Sequence, residues 1–391
     1  MDVIEAKKTV RSEVERLTPK LLEISHSLHA NPELGFEEHH AHEVLTAAIE
    51  DEGLSVERGA YDLSTAFDAR VGTDGPTIAV CCEYDALPGI GHACGHNVIA
   101  AAGLGAGLAA ASVAEALGGR VAILGTPAEE GGGGKEFMIR RGAFDDVDAA
   151  MMVHPADHDI EKMQVIAVHT VDVTYEGQAS HAAAAPHMGR NALDAAVLGY
   201  NAVAALRQHI RPNERIHGIF TEAGEKPNIV PSRAAAQWYV RSGNIDSLQR
   251  LKERFTACLE AGASAACCEM HSVWKDPPYY NMIDNTSLLN LYVNNSAANG
   301  RVVSPQDQKR IVVGSTDMGN VSHAVPSIHP MIKVAPRGTA IHTPDFETHA
   351  RSEAADQAVI DGALNMAMTI VDCWGDPDAL PAIRGSFSTS E

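Results

Sequence analysis

The chain has 391 residues, more than one hydrophobic core usually serves, so its length predicts two domains. Its 30 basic and 51 acidic residues give a net charge of −21, which disfavours nucleic-acid and membrane partners. Seven cysteines, an odd number without a C-x-x-C pair, indicate a reducing compartment rather than a disulfide framework. The first residues lack the pattern of a secretory signal, and we therefore expect a cytoplasmic protein.

The first part of the chain has the pattern of a parallel sheet. Helices are predicted over residues 1–29, 37–52 and 97–117, and buried strands over 77–83, 120–126 and 148–153. A strand, a long helix and a second strand in this order are typical of a βαβ layer. The uncharged run 98–114 is mostly alanine and glycine, so we expect a helix buried against the sheet rather than a membrane span.

The pattern changes near residue 168. The next elements are predicted in the order β-α-β-β-α-β, with strands at 168–177, 216–222, 234–241 and 267–274 and helices at 191–209 and 246–264. This order is ferredoxin-like. Elements at 284–298, 328–334 and 346–373 then return to the first domain. The predicted fold is therefore α/β, a mixed, mostly parallel sheet flanked by helices (1–167 and 283–391), with an inserted ferredoxin-like α+β domain (168–282).

Four polar stretches fall where strands of the predicted sheet should end, and ligands bind at that edge in open α/β sheets. They hold Asp85 with Cys94 and His96, the pair Glu129 and Glu130, His154, and His342. Thiolate, imidazole and carboxylate are ligands for zinc and similar ions. Each stretch alone also fits a core cysteine, an acidic loop or a structural histidine. Their coincidence at the ends of strands favours a metal site.

Other catalytic patterns are absent from the sequence. It contains neither the H-E-x-x-H zinc helix nor the G-x-S-x-G nucleophile elbow. The glycines at 131–134 do not form a phosphate loop, because Lys135 is followed by Glu136 rather than by Ser or Thr.

These motifs closely resemble a metallopeptidase and amidohydrolase family that includes aminoacylase, glutamate carboxypeptidase and amino-acid-conjugate hydrolases. The resemblance rests on H-A-C-G-H at 92–96, P-A-E-E at 127–130, H-P at 154–155 and H-T-P-D-F at 342–346. The stretches 84–97, 129–135 and 314–322 are most similar to the aminobenzoyl-glutamate hydrolase and β-alanyl dipeptidase branch.

The resemblance implies a role for each residue. Two divalent metal ions, zinc or manganese, would be held by one set of ligands: Cys94, His96, Glu130, His154 and His342. Glu129 would be the general base that activates water, and Asp85 would orient the site. Relatives usually carry Asp where this chain has Asn97, so we leave that position out of the ligand set. The choice of metal and the identity of the bridging ligand stay open.

The inserted domain matches further family motifs. The resemblance implies a lid and dimerisation domain, and hence a homodimer in which His181 stabilises the oxyanion in the partner's active site. Asn228 would contact the substrate and Arg241 would bind a carboxylate. The expected function is metal-dependent hydrolysis of a small linear amide: an N-acyl amino acid, an aminobenzoyl-glutamate-like conjugate or a dipeptide. The alternative is a non-catalytic ligand-binding protein or a regulatory subunit of a heteromeric amidohydrolase.

Overall fold

The computed structural model describes residues 1–306 and 313–388. The chain divides into two compact units. Unit 1 consists of Met1–Gln164 and Met282–Glu391, and unit 2 is Val165–Asn281. Unit 2 begins three residues before, and ends one residue before, the limits of 168 and 282 that the sequence pattern predicts.

The described residues form both helices and strands. The helices are α1 (Val3–Ala30), α2 (His39–Asp51), α3 (His96–Leu117), α4 (Gly134–Arg140), α5 (Ala192–Leu206), α6 (Ile245–Ala265), α7 (Thr286–Ala298), α8 (Met318–Ala324), α9 (Pro344–His349), α10 (Glu353–Gly375) and α11 (Ala379–Ser388). The strands are β1 (Glu57–Arg58), β2 (Phe67–Val71), β3 (Thr77–Cys82), β4 (Arg120–Gly125), β5 (Ala149–Met151), β6 (His154–Ala156), β7 (Gln164–Val165), β8 (Ala167–Glu176), β9 (Arg215–Glu222), β10 (Arg233–Ser242), β11 (Glu269–Trp274), β12 (Val313–Gly314), β13 (Ser327–Ile328) and β14 (Met331–Lys333).

The main sheet of unit 1 has six strands in the order β1-β2-β4-β3-β5-β13. Strands β4, β3, β5 and β13 are parallel neighbours, whereas β2 is antiparallel to both β1 and β4. The predicted mixed, mostly parallel sheet is therefore confirmed. Because β3 and β4 are parallel, their carboxyl ends reach the same edge, and the loops that follow them meet there.

Helix α3 packs very closely on this sheet, which explains its alanine and glycine content. A Cβ atom at Gly103 would lie 2.8 Å from Cys82 Sγ, and one at Gly107 would lie 2.4 Å from Ile123 Cγ1. The helix is long and apolar enough to cross a membrane, but 89% of its most apolar window is buried inside the protein. It is a core helix, as the sequence predicts, and its first residue is His96.

Three details of unit 1 differ from the sequence prediction. The predicted strand 328–334 is two short strands, β13 and β14, because His329 and Pro330 separate them and proline cannot donate a ladder hydrogen bond. The predicted helix 346–373 is also divided, since Ser352 caps α10 by accepting a hydrogen bond from the Ala355 amide. Strand β2 was not predicted, and it lies antiparallel beside β4.

Unit 2 has a four-stranded antiparallel sheet in the order β11-β8-β10-β9. Helices α5 and α6 pack against each other and against this sheet, where they cover an apolar core that includes Trp238 and Phe255. The strand order and the βαββαβ connection agree with the predicted ferredoxin-like arrangement.

Candidate metal centre and active site

The loop between β3 and α3 brings Cys94 and His96 to the carboxyl edge of the sheet. Gly95, between them, has a φ of +82°, and a Cβ atom there would lie 2.8 Å from Pro155. Only glycine fits this turn without strain. Cys94 and His96 are both buried, and the chain of Pro155 passes directly beside them.

Asp85 contacts the ring of His96. The Nδ1 atom of His96 lies 3.1 Å from Asp85 Oδ1, and the other carboxylate oxygen accepts a hydrogen bond from the Glu130 amide at 2.9 Å. Nδ1 therefore carries the proton in the neutral ring, and Nε2 has a free lone pair. This buried Nε2 has no hydrogen-bond partner among the described residues. A buried nitrogen left without a partner is unfavourable, and a bound cation would satisfy it.

His154 completes a first set of donors. Its Nδ1 donates to the Pro155 carbonyl at 2.8 Å, so its Nε2 is the free acceptor, and it lies 3.3 Å from Cys94 Sγ. Donor atoms of Cys94, His96 and His154 all lie within 4.8 Å of one another. One sulfur and two imidazole nitrogens are a donor set that zinc favours.

Glu129 and Glu130 follow β4 and face the same cluster. Glu130 Oε1 lies 3.1 Å from His342 Nε2, and Glu129 Oε2 lies 3.9 Å from His96 Nε2. His342 belongs to the loop before α9, where its amide donates to the Ala93 carbonyl at 2.8 Å.

Two further donor sets fall within the same 4.8 Å limit. They are Cys94 with Glu130 and His342, and His96 with Glu129 and Glu130. Cys94, His96 and Glu130 each belong to two of the three sets, so the six side chains form one continuous cluster.

Burial and neighbouring charges shift the pKa values of three groups in this cluster. Burial raises the pKa of the Glu129 carboxyl well above its usual range, and the charges of Glu130 and Glu83 raise it further. Burial, followed by the charge of Glu130, also raises the pKa of the Cys94 thiol. Burial lowers the pKa of His154 to about 4. A divalent cation would counter the first two effects and suits the third, because it favours carboxylate and thiolate and binds neutral imidazole. The residues present therefore fit divalent metal ions.

Sequence reasoning missed three charged residues beside the cluster, namely Glu83, Lys135 and Asp317. All three are fully buried, and Lys135 Nζ lies 2.5 Å from Glu83 Oε1 and 2.6 Å from Asp317 Oδ1. One signal was available, since Glu83 and Lys135 flank the two predicted motifs directly. Asn97, by contrast, donates hydrogen bonds to Ser25 Oγ and to the Ala350 carbonyl, which ties α3 to its neighbours.

Unit 2 holds the other three predicted site residues. His181 and Asn228 lie next to each other, because the Ala182 amide donates to the Asn228 carbonyl at 3.0 Å. Both side chains are exposed. Nδ1 of His181 accepts the amides of Ala183 and Ala184, which leaves Nε2 to carry the proton.

Arg241 is not brought to this pair. It lies near the end of β10, whereas Asn228 precedes the beginning of that strand. Its Nε is 3.3 Å from His217 Nε2, and its guanidinium lies over the Tyr239 ring at 5.6 Å.

Residues 79–360 match peptidase family M20/M25/M40. The human Xaa-Arg dipeptidase is 38% identical over 96% of this chain and 90% of its own length. A chain of the p-aminobenzoyl-glutamate hydrolase of Escherichia coli K12 is 28% identical over 94% of this chain and 92% of its own length.

Solved structures share the fold. The YxeP protein of Bacillus subtilis, a dinuclear metal-binding peptidase from the M20 family, superposes with a TM-score of 0.72 at 20% identity, over 93% of this chain and 99% of that one. An aminobenzoyl-glutamate utilization protein from Klebsiella pneumoniae gives a TM-score of 0.72 at 19% identity, over 91% of this chain and 96% of that one.

The buried donor cluster at the carboxyl edge of the sheet and these matches together define a hydrolase of the metallopeptidase class. The chain belongs to peptidase family M20/M25/M40. The resemblance stated from the motifs is confirmed, and so is the expectation of an enzyme that hydrolyses small amides. Nothing in these matches favours the non-catalytic alternative.

Proposed function

We propose that this chain hydrolyses dipeptides or similarly small linear amides, with Glu129 as the general base. The observation that carries the proposal is the convergence of six side chains from four distant stretches, Cys94, His96, Glu129 with Glu130, His154 and His342. A binding protein would have no use for a second buried carboxylate beside one that can hold a metal.

The site would hold two divalent ions, zinc or manganese, through Cys94, His96, Glu130, His154 and His342. The thiolate favours zinc, and the nitrogen and oxygen donors suit either metal. When bound, such ions polarise the substrate carbonyl and lower the pKa of water toward neutrality. Asp85 keeps the His96 ring in the tautomer that presents Nε2 to the site.

Glu129 would accept the proton of the attacking water and deliver it to the leaving amine. Its buried carboxyl lies beside Glu130, so the same backbone turn places the base next to a metal ligand. The substitution Glu129→Gln removes the proton acceptor but keeps the size and shape of the side chain. We expect turnover to fall at least about a thousandfold, whereas the bound metal is unchanged. Near-normal hydrolysis by Glu129→Gln would exclude the assignment.

The substrate is proposed to be a dipeptide with a cationic carboxyl-terminal residue. A relative that is 38% identical over 96% of this chain is an Xaa-Arg dipeptidase. Residues 165–281 contain eleven basic and eleven acidic residues, so the whole net charge of −21 belongs to unit 1. A strongly negative unit attracts a cationic substrate.

A substrate panel on the purified chain tests this proposal. Dipeptides ending in Arg or Lys, their Glu and Leu counterparts, N-acyl amino acids and aminobenzoyl-glutamate should be compared at low and high salt. The proposal expects the highest kcat/KM for the cationic dipeptides, with a decline as salt rises. A preference for aminobenzoyl-glutamate would overturn it and leave the hydrolase assignment intact.

A homodimer is proposed through unit 2. Strand β9 is an edge strand, and it exposes Ile219 and Phe220 to 66% and 40%. Phe220 contacts the exposed ring of Tyr200 on α5, with ring centroids 5.9 Å apart. An apolar sheet edge of this kind is usually covered by a partner.

The dimer would also assign the residues of unit 2. His181 and Asn228 lie at one end of the small sheet and Arg241 at the other, so one chain could serve two active sites. His181 would donate its Nε2 proton to the oxyanion in the partner's site, Asn228 would contact the substrate, and Arg241 would bind the substrate carboxylate. We also propose a cytoplasmic location, which is supported by seven free cysteines.

A further inference from the structure

Three charged side chains lie fully buried next to the donor cluster. Asp317 accepts two hydrogen bonds from Lys135: its Oδ1 lies 2.6 Å from Lys135 Nζ, and its Oδ2 accepts the Lys135 backbone amide at 2.9 Å. Lys135 Nζ in turn lies 2.5 Å from Glu83 Oε1. A lysine with no exposed surface is rare, and it persists only when its charge is paired.

Glu83 connects this group to the site. Its second oxygen, Oε2, lies 3.7 Å from Nε2 of His96, the ring nitrogen that Asp85 leaves free. A buried carboxylate in this place can be neutralised in two ways, by the ammonium of Lys135 or by the divalent ion that His96 would hold. The two are alternatives, because a carboxylate that coordinates a metal has less attraction for a second cation.

We propose that Lys135 is a positioning residue that keeps Glu83 out of the metal-ligand set. By fixing the Glu83 carboxylate, it leaves positions around the metal open for water and substrate, which a catalytic site requires and a purely structural site does not. This inference rests on the proposed function, since it presumes that His96 binds a metal ion.

A simpler role for the same contacts is to tie β3, α4 and α8 together. The two roles predict opposite consequences for the substitution Lys135→Met, which removes the charge and keeps most of the length. If the contacts only hold these elements together, the substitution would loosen the site, and metal affinity would fall. If Lys135 restrains Glu83, the released carboxylate would join the metal, so that metal affinity rises and hydrolysis falls by about tenfold or more.

The experiment uses the full chain, stripped of metal and titrated with Co²⁺, whose visible absorption reports the coordination geometry. We expect Lys135→Met to bind Co²⁺ more tightly than the wild type and to show a weaker absorption typical of a higher coordination number. The double variant Lys135→Met with Glu83→Gln lacks the competing carboxylate. It should return to the wild-type spectrum and be several-fold more active than Lys135→Met alone.

Two further variants keep the result decisive. Lys7→Met removes an ammonium from Asp372, 2.7 Å away on α10, and should leave both the Co²⁺ spectrum and hydrolysis unchanged. Glu83→Gln alone should keep the wild-type spectrum, and this measurement can still refute the proposal if Lys135→Met does not fold.

The proposal is overturned if Lys135→Met binds Co²⁺ with unchanged or weaker affinity, or if Glu83→Gln alone alters the spectrum. Should the wild type bind Co²⁺ but hydrolyse none of the substrates, the proposed function fails, and the spectra still decide the role of Lys135.

Discussion

The two units place their chemistry in opposite ways. In unit 1 the predicted site residues are largely buried, and they are held by contacts such as His96 with Asp85 at 3.1 Å and Cys94 with His154 at 3.3 Å. In unit 2 the side chains of His181 and Asn228 are exposed on loops. A buried polar cluster must be organised by the fold itself, whereas exposed residues act only when a substrate or a partner subunit binds against them.

Charge is divided between the units in the same way. Unit 2 is neutral by its count of charged residues, and unit 1 carries the entire net charge of −21. The metal-binding function should therefore respond to changes in unit 1 alone, and changes in unit 2 should alter turnover without altering metal binding.

The largest effect that would test this division is expected at His181. Replacing it with Ala removes a proposed oxyanion donor, so kcat should fall about 100- to 1000-fold, whereas metal content and affinity stay at wild-type values. His187→Ala, an exposed histidine of the same loop region, is the matched control and should be neutral. Loss of metal from His181→Ala would show that metal binding does not depend on unit 1 alone.

Mixing two inactive variants tests whether His181 acts in the partner's active site. Glu129→Gln and His181→Ala are each expected to be nearly inactive, but a hybrid dimer would contain one site with both natural residues if His181 acts across the interface. Random exchange of protomers would then restore about a quarter of wild-type activity. If no activity returned although hybrid dimers were present, His181 would have to act within its own chain or not at all.

A smaller effect is expected for Asp85→Asn in unit 1. The uncharged Asn side chain has only one acceptor oxygen, so it cannot accept hydrogen bonds from both the His96 ring and the backbone amide of Glu130 as the Asp85 carboxylate does. Metal affinity should therefore fall about 10- to 100-fold. Asp356→Asn is a suitable control, because Asp356 on α10 makes a carboxylate–imidazole contact of 2.7 Å with His26 on α1, in a partly exposed pair. Equal losses in both variants would show a general loss of stability instead.

The smallest effect concerns the stability of unit 2. Burial lowers the pKa of His169 to about 4, below its usual 6.5, so the unfolded chain binds the proton more readily. This histidine therefore favours the folded state above pH 6.5, and that contribution is lost as the pH falls toward 4. We expect His169→Gln to lose roughly 1–2 kcal/mol less unfolding free energy than the wild type between pH 7 and pH 5.

Chemical denaturation of the metal-free chain at the two pH values measures this difference. Parallel loss in the two proteins would mean that His169 is not the group responsible. In unit 1, by contrast, the protonation of the buried site residues should depend on whether metal ions are bound.

Most of the fold and the donor cluster could be predicted, because both follow from local patterns. Strands β3 and β4 and helix α3 have clear hydrophobic patterns, and the residues that follow parallel strands must meet at one edge. The break at Pro330 was missed, because apolar residues continue on both sides of His329 and Pro330.

The buried group of Glu83, Lys135 and Asp317 could not be predicted for a different reason. A lysine is normally expected at the surface, and its burial depends on two carboxylates that are 52 and 182 positions away in the sequence. The positions of Glu83 and Lys135 beside the two motifs place them near the site, but no local pattern reports their pairing with each other or with Asp317. The same holds for His329, which lies fully buried beside His154 with ring centroids 5.2 Å apart.

Metal-dependent hydrolysis by a two-metal site is tested most directly by a metal titration of the purified, metal-stripped chain, with bound metal and hydrolysis of a cationic dipeptide measured on the same samples. We expect no hydrolysis without metal and full activity at two equivalents of Zn²⁺ or Mn²⁺ per chain. We expect the same stoichiometry without turnover in Glu129→Gln. Hydrolysis that persists in the stripped chain, or a wild type that binds no divalent ion, would rule out the proposed function.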